Sequence, residues 1–327
     1  MKHIINHKQT AIESMLVAFQ AEHHSRVKID PAHHIIYTQK TTGVSLISGG
    51  GSGHEPAHFG YVGRGMLTAS VSGELFTPPF PDAILRAIQL TDSGDGVCLI
   101  VKNFASDVEV FTEAKRQAEA LGHTVELVIV SDDVSIDNKT SYSKRKRGVA
   151  GTVLMHKILG YFNQQSKSLS ELKTIADDVS PHLFTLGVAL SSAELPETAP
   201  FFTLAEDEVY FGVGIHGEKG YRKEPFQSSE QLAIELYNKL KHLHQFKPGE
   251  HYAFLINGLG ATPLLEQYVF ANDVRRLAAL DKITIDFLKT GTQLSSYNMQ
   301  GLSLTCLKIT DPSITTALQA PVDVSHW

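Results

Sequence analysis

Residues 96–104, GVCLIVKNF, form a continuous apolar run. They are followed by Ala105-Ser106-Asp107, by apolar positions at Val108, Phe111, Ala114 and Ala118, by Leu121-Gly122, and then by a second run, VELVIVSDD. The short apolar runs have strand length, and the 3.6-residue spacing between them is helical. A strand, helix and strand in this order make a βαβ unit, which requires a parallel sheet with ligands at the carboxyl ends of its strands. A further strand, VSLIS, runs straight into the glycine-rich stretch SGGGSGHEPAHFG at residues 48–60. His54 and Asp107 therefore both follow strand ends.

The remaining elements extend this into an α/β chain. Ile12, Met15, Leu16 and Phe19 predict an amphipathic helix over 10–22, and helices are expected at 148–162 and 168–179, the latter capped by Ser168 or Ser170. After SPHLFTLG the texture changes to short strands and turns. A chain of 327 residues exceeds the usual size of one core. We therefore expect two α/β domains, 1–184 and 185–327, each a sheet flanked by helices. In the second, alternating Val209, Phe211, Val213 and Ile215 predict a strand that delivers His216 to a glycine turn. Leu232, Leu236, Leu240 and Leu243 share a helical face, YAFLINGLGATP reads as a strand, a turn and a helix from near Pro263, and LSLTCLKI is a late strand.

Composition excludes several classes. With 42% hydrophobic and 20% charged residues the chain is neither disordered nor membrane-spanning. The polar N-terminus lacks the apolar core of a signal peptide, and the expected location is the cytoplasm. A net charge of −6 offers no attraction for nucleic acid, and the basic run Lys144-Arg145-Lys146-Arg147 reads as a solvated loop. Cys98 and Cys306 lie in apolar strands, where buried reduced thiols are expected.

His54-Glu55-Pro56-Ala57-His58 matches the H-E-x-x-H zinc pattern, but that chemistry needs helix on both sides so that the two histidines share a face. Gly49, Gly50, Gly51 and Gly53 before the motif, Pro56 within it, and Gly60, Gly63 and Gly65 after it deny the helix. No metal is expected. The alternative is a backbone nest for a small ligand, with no G-x-x-x-x-G-K-[ST] sequence to hold a nucleotide. By position Asp107 reads as a helix N-cap, and His54 and His216 fit either structural or binding roles. The residues alone specify a small polar ligand and a His/His/Asp group, without a reaction.

The segments SGGGSGHEPAHFGYVGRGML, VKNFASDVEVF, RGVAGTV, GVGIHGEKG and NGLGATPL, in this order along nearly the whole chain, resemble the DhaK family of dihydroxyacetone kinases. The resemblance implies a homodimer without its own cofactor, in which His216 adds to the ketone carbon of dihydroxyacetone to give a hemiaminal. It also implies a pocket of Gly51, Ser52, Gly53, His54, Lys102 and Asp107, with His54 and Asp107 as acid and base around the ligand hydroxyl. The nucleotide would belong to a separate kinase subunit.

Departures from the kinase pattern cluster. GTQLSSYNMQG at 291–301 replaces a segment of the kind G-[DN]-[FY]-M-T-S-L-[DE]-M-x-G, so Gln293 stands for an aromatic residue, Tyr297 for Leu and Asn298 for an acid. Phe59-Gly60-Tyr61, the stretch IIYTQK and Gly260-Ala261-Thr262-Pro263 also differ. An intact pocket beside an altered segment resembles the family's co-activator branch, which senses dihydroxyacetone and acts through a DNA-binding regulator protein. The alternative is a kinase subunit whose C-terminal segment has drifted. A carbohydrate-binding protein without a partner ranks third.

Overall fold

The computed structural model describes residues 2–39, 42–135 and 146–327. The chain divides into two compact units: unit 1 comprises Met1–Val130, Thr152–Asp177 and Ala320–Trp327, and unit 2 comprises Ser131–Gly151 and Asp178–Gln319.

Unit 1 is built on a six-stranded sheet. Its strands are β1 (Lys28–Asp30), β2 (Ile35–Tyr37), β3 (Ser45–Ser52), β4 (Ala69–Leu75), β5 (Val97–Lys102) and β6 (Val125–Val130), in the spatial order β1-β2-β4-β3-β5-β6. β4, β3, β5 and β6 are parallel, as the βαβ pattern requires, and β1 and β2 add an antiparallel edge. The chain leaves β3 for β4 on one side and returns through a crossover to β5 on the other. The carboxyl end of β3 is thus a topological switch point, where a crevice opens in sheets of this kind. The helices are α1 (Ala11–Glu22), α2 (Pro81–Thr91), α3 (Ala105–Ala120), α4 (Gly151–Gln164) and α5 (Leu169–Val179). Ile84, Ala87 and Ile88 of α2 and Phe111, Ala114 and Ala118 of α3 pack in one core with Ile47, Val71, Leu99 and Val101 of the sheet. Ser168 caps α5: its hydroxyl accepts from the Glu171 amide at 3.4 Å, while the Glu171 carboxylate accepts from the Ser168 amide at 2.9 Å, a reciprocal box. The final segment of unit 1 closes over the loop after β3, with Asp323 N donating to the Arg64 carbonyl, and His326 N and Ser325 Oγ both donating to Gly60 O.

Unit 2 carries a second six-stranded sheet of β7 (Leu183–Ala189), β8 (Glu208–Phe211), β9 (Arg222–Pro225), β10 (His251–Gly258), β11 (Thr284–Gly291) and β12 (Gly301–Lys308), ordered β11-β10-β12-β7-β8-β9. Only β10 and β11 run parallel; the other pairs are antiparallel. Helices α6 (Ser229–His244), α7 (Leu264–Leu280) and α8 (Pro312–Gln319) complete it. Leu232, Leu236 and Leu240 of α6 and Phe270 and Val274 of α7 pack with Phe254, Ile256 and Leu304 of the sheet. Leu243, expected on the same face, is exposed near the end of α6. Both cysteines are buried thiols, and Cys98 is pushed up to about 12 by burial.

Two local readings are corrected. The strand at 208–215 stops at Phe211, because Gly212 takes φ +80 and turns the chain four residues before His216. The basic run does not behave as a solvated loop where it is described: Arg147 is buried and its Nε donates to Asp133 Oδ2 at 2.6 Å. Lys144 and Arg145 lie outside the described residues.

Candidate functional site

In unit 1 the glycines of β3 admit groups that no side chain would. All eight residues of the strand are buried. A Cβ on Gly50 would overlap Lys102 Nζ and lie 3.0 Å from Asp107 Oδ1, and one on Gly51 would lie 2.5 Å from Thr77 N. Lys102, the last residue of β5, is therefore drawn against the end of β3, and Asp107 faces the same glycine. Ser52 and Gly53 complete the turn; the Ser52 hydroxyl donates to the Gly73 carbonyl at 2.7 Å, which joins β3 to β4. His54 follows, fully buried and stacked on Phe76 at 5.0 Å between ring centroids. Glu55 accepts from the Gly53 amide with both oxygens (2.9 and 3.1 Å), and burial raises its pKa.

Asp107 is not an N-cap. The helix α3 begins at Ala105 after Phe104, which places Asp107 in the first turn, where it is buried and its Oδ1 has no hydrogen-bond partner. A buried carboxylate oxygen with no protein donor is costly unless a charge or a ligand compensates it. Lys102 supplies charge compensation: burial lowers its pKa, and the Asp107 charge acts in the opposite sense.

His58 has a definite task. Lys102 Nζ donates to Gly49 O at 3.0 Å and to His58 Nε2 at 2.8 Å, and His58 Nδ1 lies 2.9 Å from His156 Nε2. An ammonium only donates, so His58 Nε2 must accept, its Nδ1 carries the proton, and His156 Nε2 accepts in turn. Both rings are neutral: burial and then the Lys102 charge push His58 far down and His156 to about 3. Residues 54–58 form turns rather than a helix, and both His58 ring nitrogens are engaged by Lys102 and His156. The geometry of an H-E-x-x-H zinc site is thus not formed. No local motif marks His156, whose part in this array comes from its contact with His58 across 98 residues.

In unit 2, His216 sits in the turn between β8 and β9. Its amide donates to Glu218 Oε2 at 2.9 Å, and its Nδ1 lies 3.3 Å from Glu218 Oε1. Arg147 Nη1 approaches Glu218 Oε2 at 3.8 Å, while the same guanidinium donates to Ser135 Oγ (2.8 Å) and Gly212 O (3.1 Å). Burial works to raise the Glu218 carboxyl, but the His216 hydrogen bonds and the Arg147 charge prevail and hold it at about 2. Gly217 takes φ +80 and packs against Phe201, where a Cβ would lie 2.5 Å from the Phe201 Cβ.

The departing segment also lies in unit 2. Asn257 at the end of β10 accepts from the amides of Gln293 (2.8 Å) and Leu294 (2.9 Å) and donates to Leu294 O (2.8 Å) and Ser303 Oγ (3.2 Å). Thr262 Oγ1 bonds the Gly301 amide and carbonyl at 2.7 and 2.5 Å. Asn298 adopts φ +61, a left-handed conformation that Asn tolerates better than most residues.

The Dak1 domain model matches residues 17–326. The chain belongs to the Dak1-domain family. It is 45% identical over 327 residues to the dihydroxyacetone-binding subunit DhaK of the PTS-dependent dihydroxyacetone kinase of Lactococcus lactis subsp. lactis (strain IL1403), covering 99% of this chain and 98% of that protein. It is 48% identical over 293 residues to the DhaKLM operon coactivator DhaQ of the same strain, covering 89% and 88%. A solved structure described as the dihydroxyacetone kinase operon co-activator Dha-DhaQ superposes with a TM-score of 0.92 at 45% identity, over 96% of this Dak1 chain and 97% of that one. Close homologues thus include both a kinase subunit and a co-activator, and the similar identities do not separate them. No helix among the described residues is long and apolar enough to cross a membrane.

Proposed function

We propose that this Dak1 chain is a dihydroxyacetone sensor: it captures the ligand as a hemiaminal on His216 and acts as a transcriptional co-activator through a DNA-binding regulator protein. The observation that carries the reading is a contrast. The residues assigned to ligand capture, Gly51, Ser52, Gly53, His54, Lys102, Asp107 and His216, are all present, whereas Gln293, Tyr297 and Asn298 depart together from the kinase pattern. Chemically, a neutral imidazole lone pair attacks a ketone but finds no electrophile in a polyol such as glycerol. Covalent capture therefore separates short ketones and aldehydes from polyols of nearly equal size, which hydrogen bonding to hydroxyls does poorly. Occupancy would favour one conformation, and a regulator that prefers this conformation would read it. The proposed active form is a homodimer in the cytoplasm.

The second reading, a kinase subunit that works with a nucleotide-carrying partner, is favoured by the 45% identity to DhaK over almost the whole chain. Phosphoryl transfer separates the two. The protein is mixed with dihydroxyacetone, a nucleotide-carrying kinase subunit and its phosphate donor, beside an active DhaK as control, and intact mass is recorded in parallel. We expect an adduct that His216→Ala abolishes, without turnover. Turnover at the control rate overturns the co-activator reading in favour of the kinase one.

A further inference from the structure

The turn that holds His216 is built around a carboxylate to which the resemblance assigns no role. Both oxygens of Glu218 are committed: Oε1 faces His216 Nδ1 at 3.3 Å, and Oε2 takes the His216 amide at 2.9 Å and the Arg147 guanidinium at 3.8 Å. Arg147 is itself anchored by Asp133, Ser135 and the Gly212 carbonyl, and its side chain is only 10% exposed. Room for the carboxylate comes from Gly214, since a Cβ there would overlap Glu218 Oε2 and lie 2.6 Å from Arg147 Nη1. Asp133, Arg147, Glu218 and His216 form a continuous arm of alternating charge that ends on an imidazole. We infer that Glu218, held by Arg147 and Asp133, is a positioning residue that fixes the ring orientation and tautomer of His216.

This deepens the reading of His216 as the covalent residue and rests on it for its functional consequence. An ionised carboxylate only accepts, so the nitrogen facing it must carry the proton. His216 Nδ1 is then the N–H, and Nε2 holds the lone pair. In the addition step the Nε2 pair forms a bond to the ketone carbon while the C=O π pair moves to oxygen, which takes a proton from a water molecule and leaves hydroxide to the bulk solvent. The ring keeps its Nδ1 proton and becomes cationic opposite Glu218, where the carboxylate meets the new charge. The arrangement has the form of a nucleophile oriented by a hydrogen-bonded partner. Glu218 touches no reacting atom. Its contribution is to hold Nε2 in the basic form and to pair the charge that the ring gains.

The tautomer is measured first, in the absence of ligand. Nitrogen-15 NMR of the histidine rings in the full-length protein, with His216→Ala for assignment, reports which His216 nitrogen is protonated. We expect Nδ1–H. The opposite tautomer overturns the inference whatever the protein does with dihydroxyacetone. Glu218→Gln keeps the size of the side chain but removes its charge. We expect it to mix the two His216 tautomers and to slow adduct formation about 10- to 100-fold, the scale of one charge-assisted hydrogen bond. Capture by Glu218→Gln at the wild-type rate, with the tautomer unchanged, overturns the positioning role. If wild-type protein forms no adduct, the reading of His216 as the covalent residue falls, and the tautomer measurement alone decides for or against Glu218.

Discussion

Replacing His156 by Gln is expected to make unit 1 less sensitive to acid. His156 is neutral in the fold, with its pKa pushed to about 3 by burial and by the Lys102 charge, against an ordinary value of 6.5. A group with a depressed folded pKa binds fewer protons in the native state than in the unfolded one, so stability falls as pH falls through the unfolded value. For histidine the neutral form contributes fully above 6.5 and progressively less below it. At pH 5 the loss is 1.5 pH units of one proton, about 2 kcal/mol. Gln at 156 can still present an oxygen to His58 Nδ1–H but does not titrate. His58 stays neutral because its own burial and Lys102 dominate its environment. The assay is urea unfolding at pH 7.5, 6.5, 5.5 and 5.0, followed by the fluorescence of Trp327, which is the sole tryptophan and belongs to unit 1. We expect the wild type to lose about 2 kcal/mol more than His156→Gln between pH 7.5 and 5.0. With a urea slope of about 2 kcal/mol/M, the midpoints would move apart by about 1 M. Equal acid losses in the two proteins would refute the neutral, buried assignment of His156.

Two further outcomes follow from buried polar groups. Lys102→Met strands the Asp107 carboxylate and should cost about 3–5 kcal/mol by the same urea assay; adding Asp107→Leu should recover part of that loss, because removing both charges leaves neither uncompensated. Additive losses would mean that the two charges do not interact. Asn257→Ala removes the four hydrogen bonds that hold residues 293, 294 and 303. It should cost about 2–4 kcal/mol and speed amide exchange at Gln293 and Leu294, whereas unchanged exchange there would show that Asn257 does not order the segment.

Periodicity carried much of the fold. The runs at 96–104 and 125–130, separated by a helical pattern, specify parallel neighbours whatever lies around them. The zinc motif could be rejected locally for the same reason, since glycine and proline act through the backbone of their own segment. Other errors have long-range causes. Asp107 looks like a cap because the sequence does not show that α3 starts two residues earlier, at Ala105. Arg147 looks solvated because its neighbours are basic, and its carboxylate partner lies 14 residues back at Asp133. Glu218 was within reach of a sequence argument, two positions after His216 in HGEKG. Only the turn at Gly217, with φ +80, brings its oxygen to the ring. Nothing in local composition marks residues 131–151 as part of unit 2.

The clamp on the loop after β3 has a consequence for the order of synthesis. Asp323, Ser325 and His326 secure Arg64 and Gly60, yet they emerge only after every residue of unit 2 has been made. At about 5–20 residues per second, the nascent loop that bears His54 waits on the order of 13–50 s for its fastening. Unit 2 can begin folding meanwhile, because its own core contains no residue of that tail. Full ordering of the loop is thereby postponed until residues 323–326 have been translated, by which point every strand of both sheets has been made.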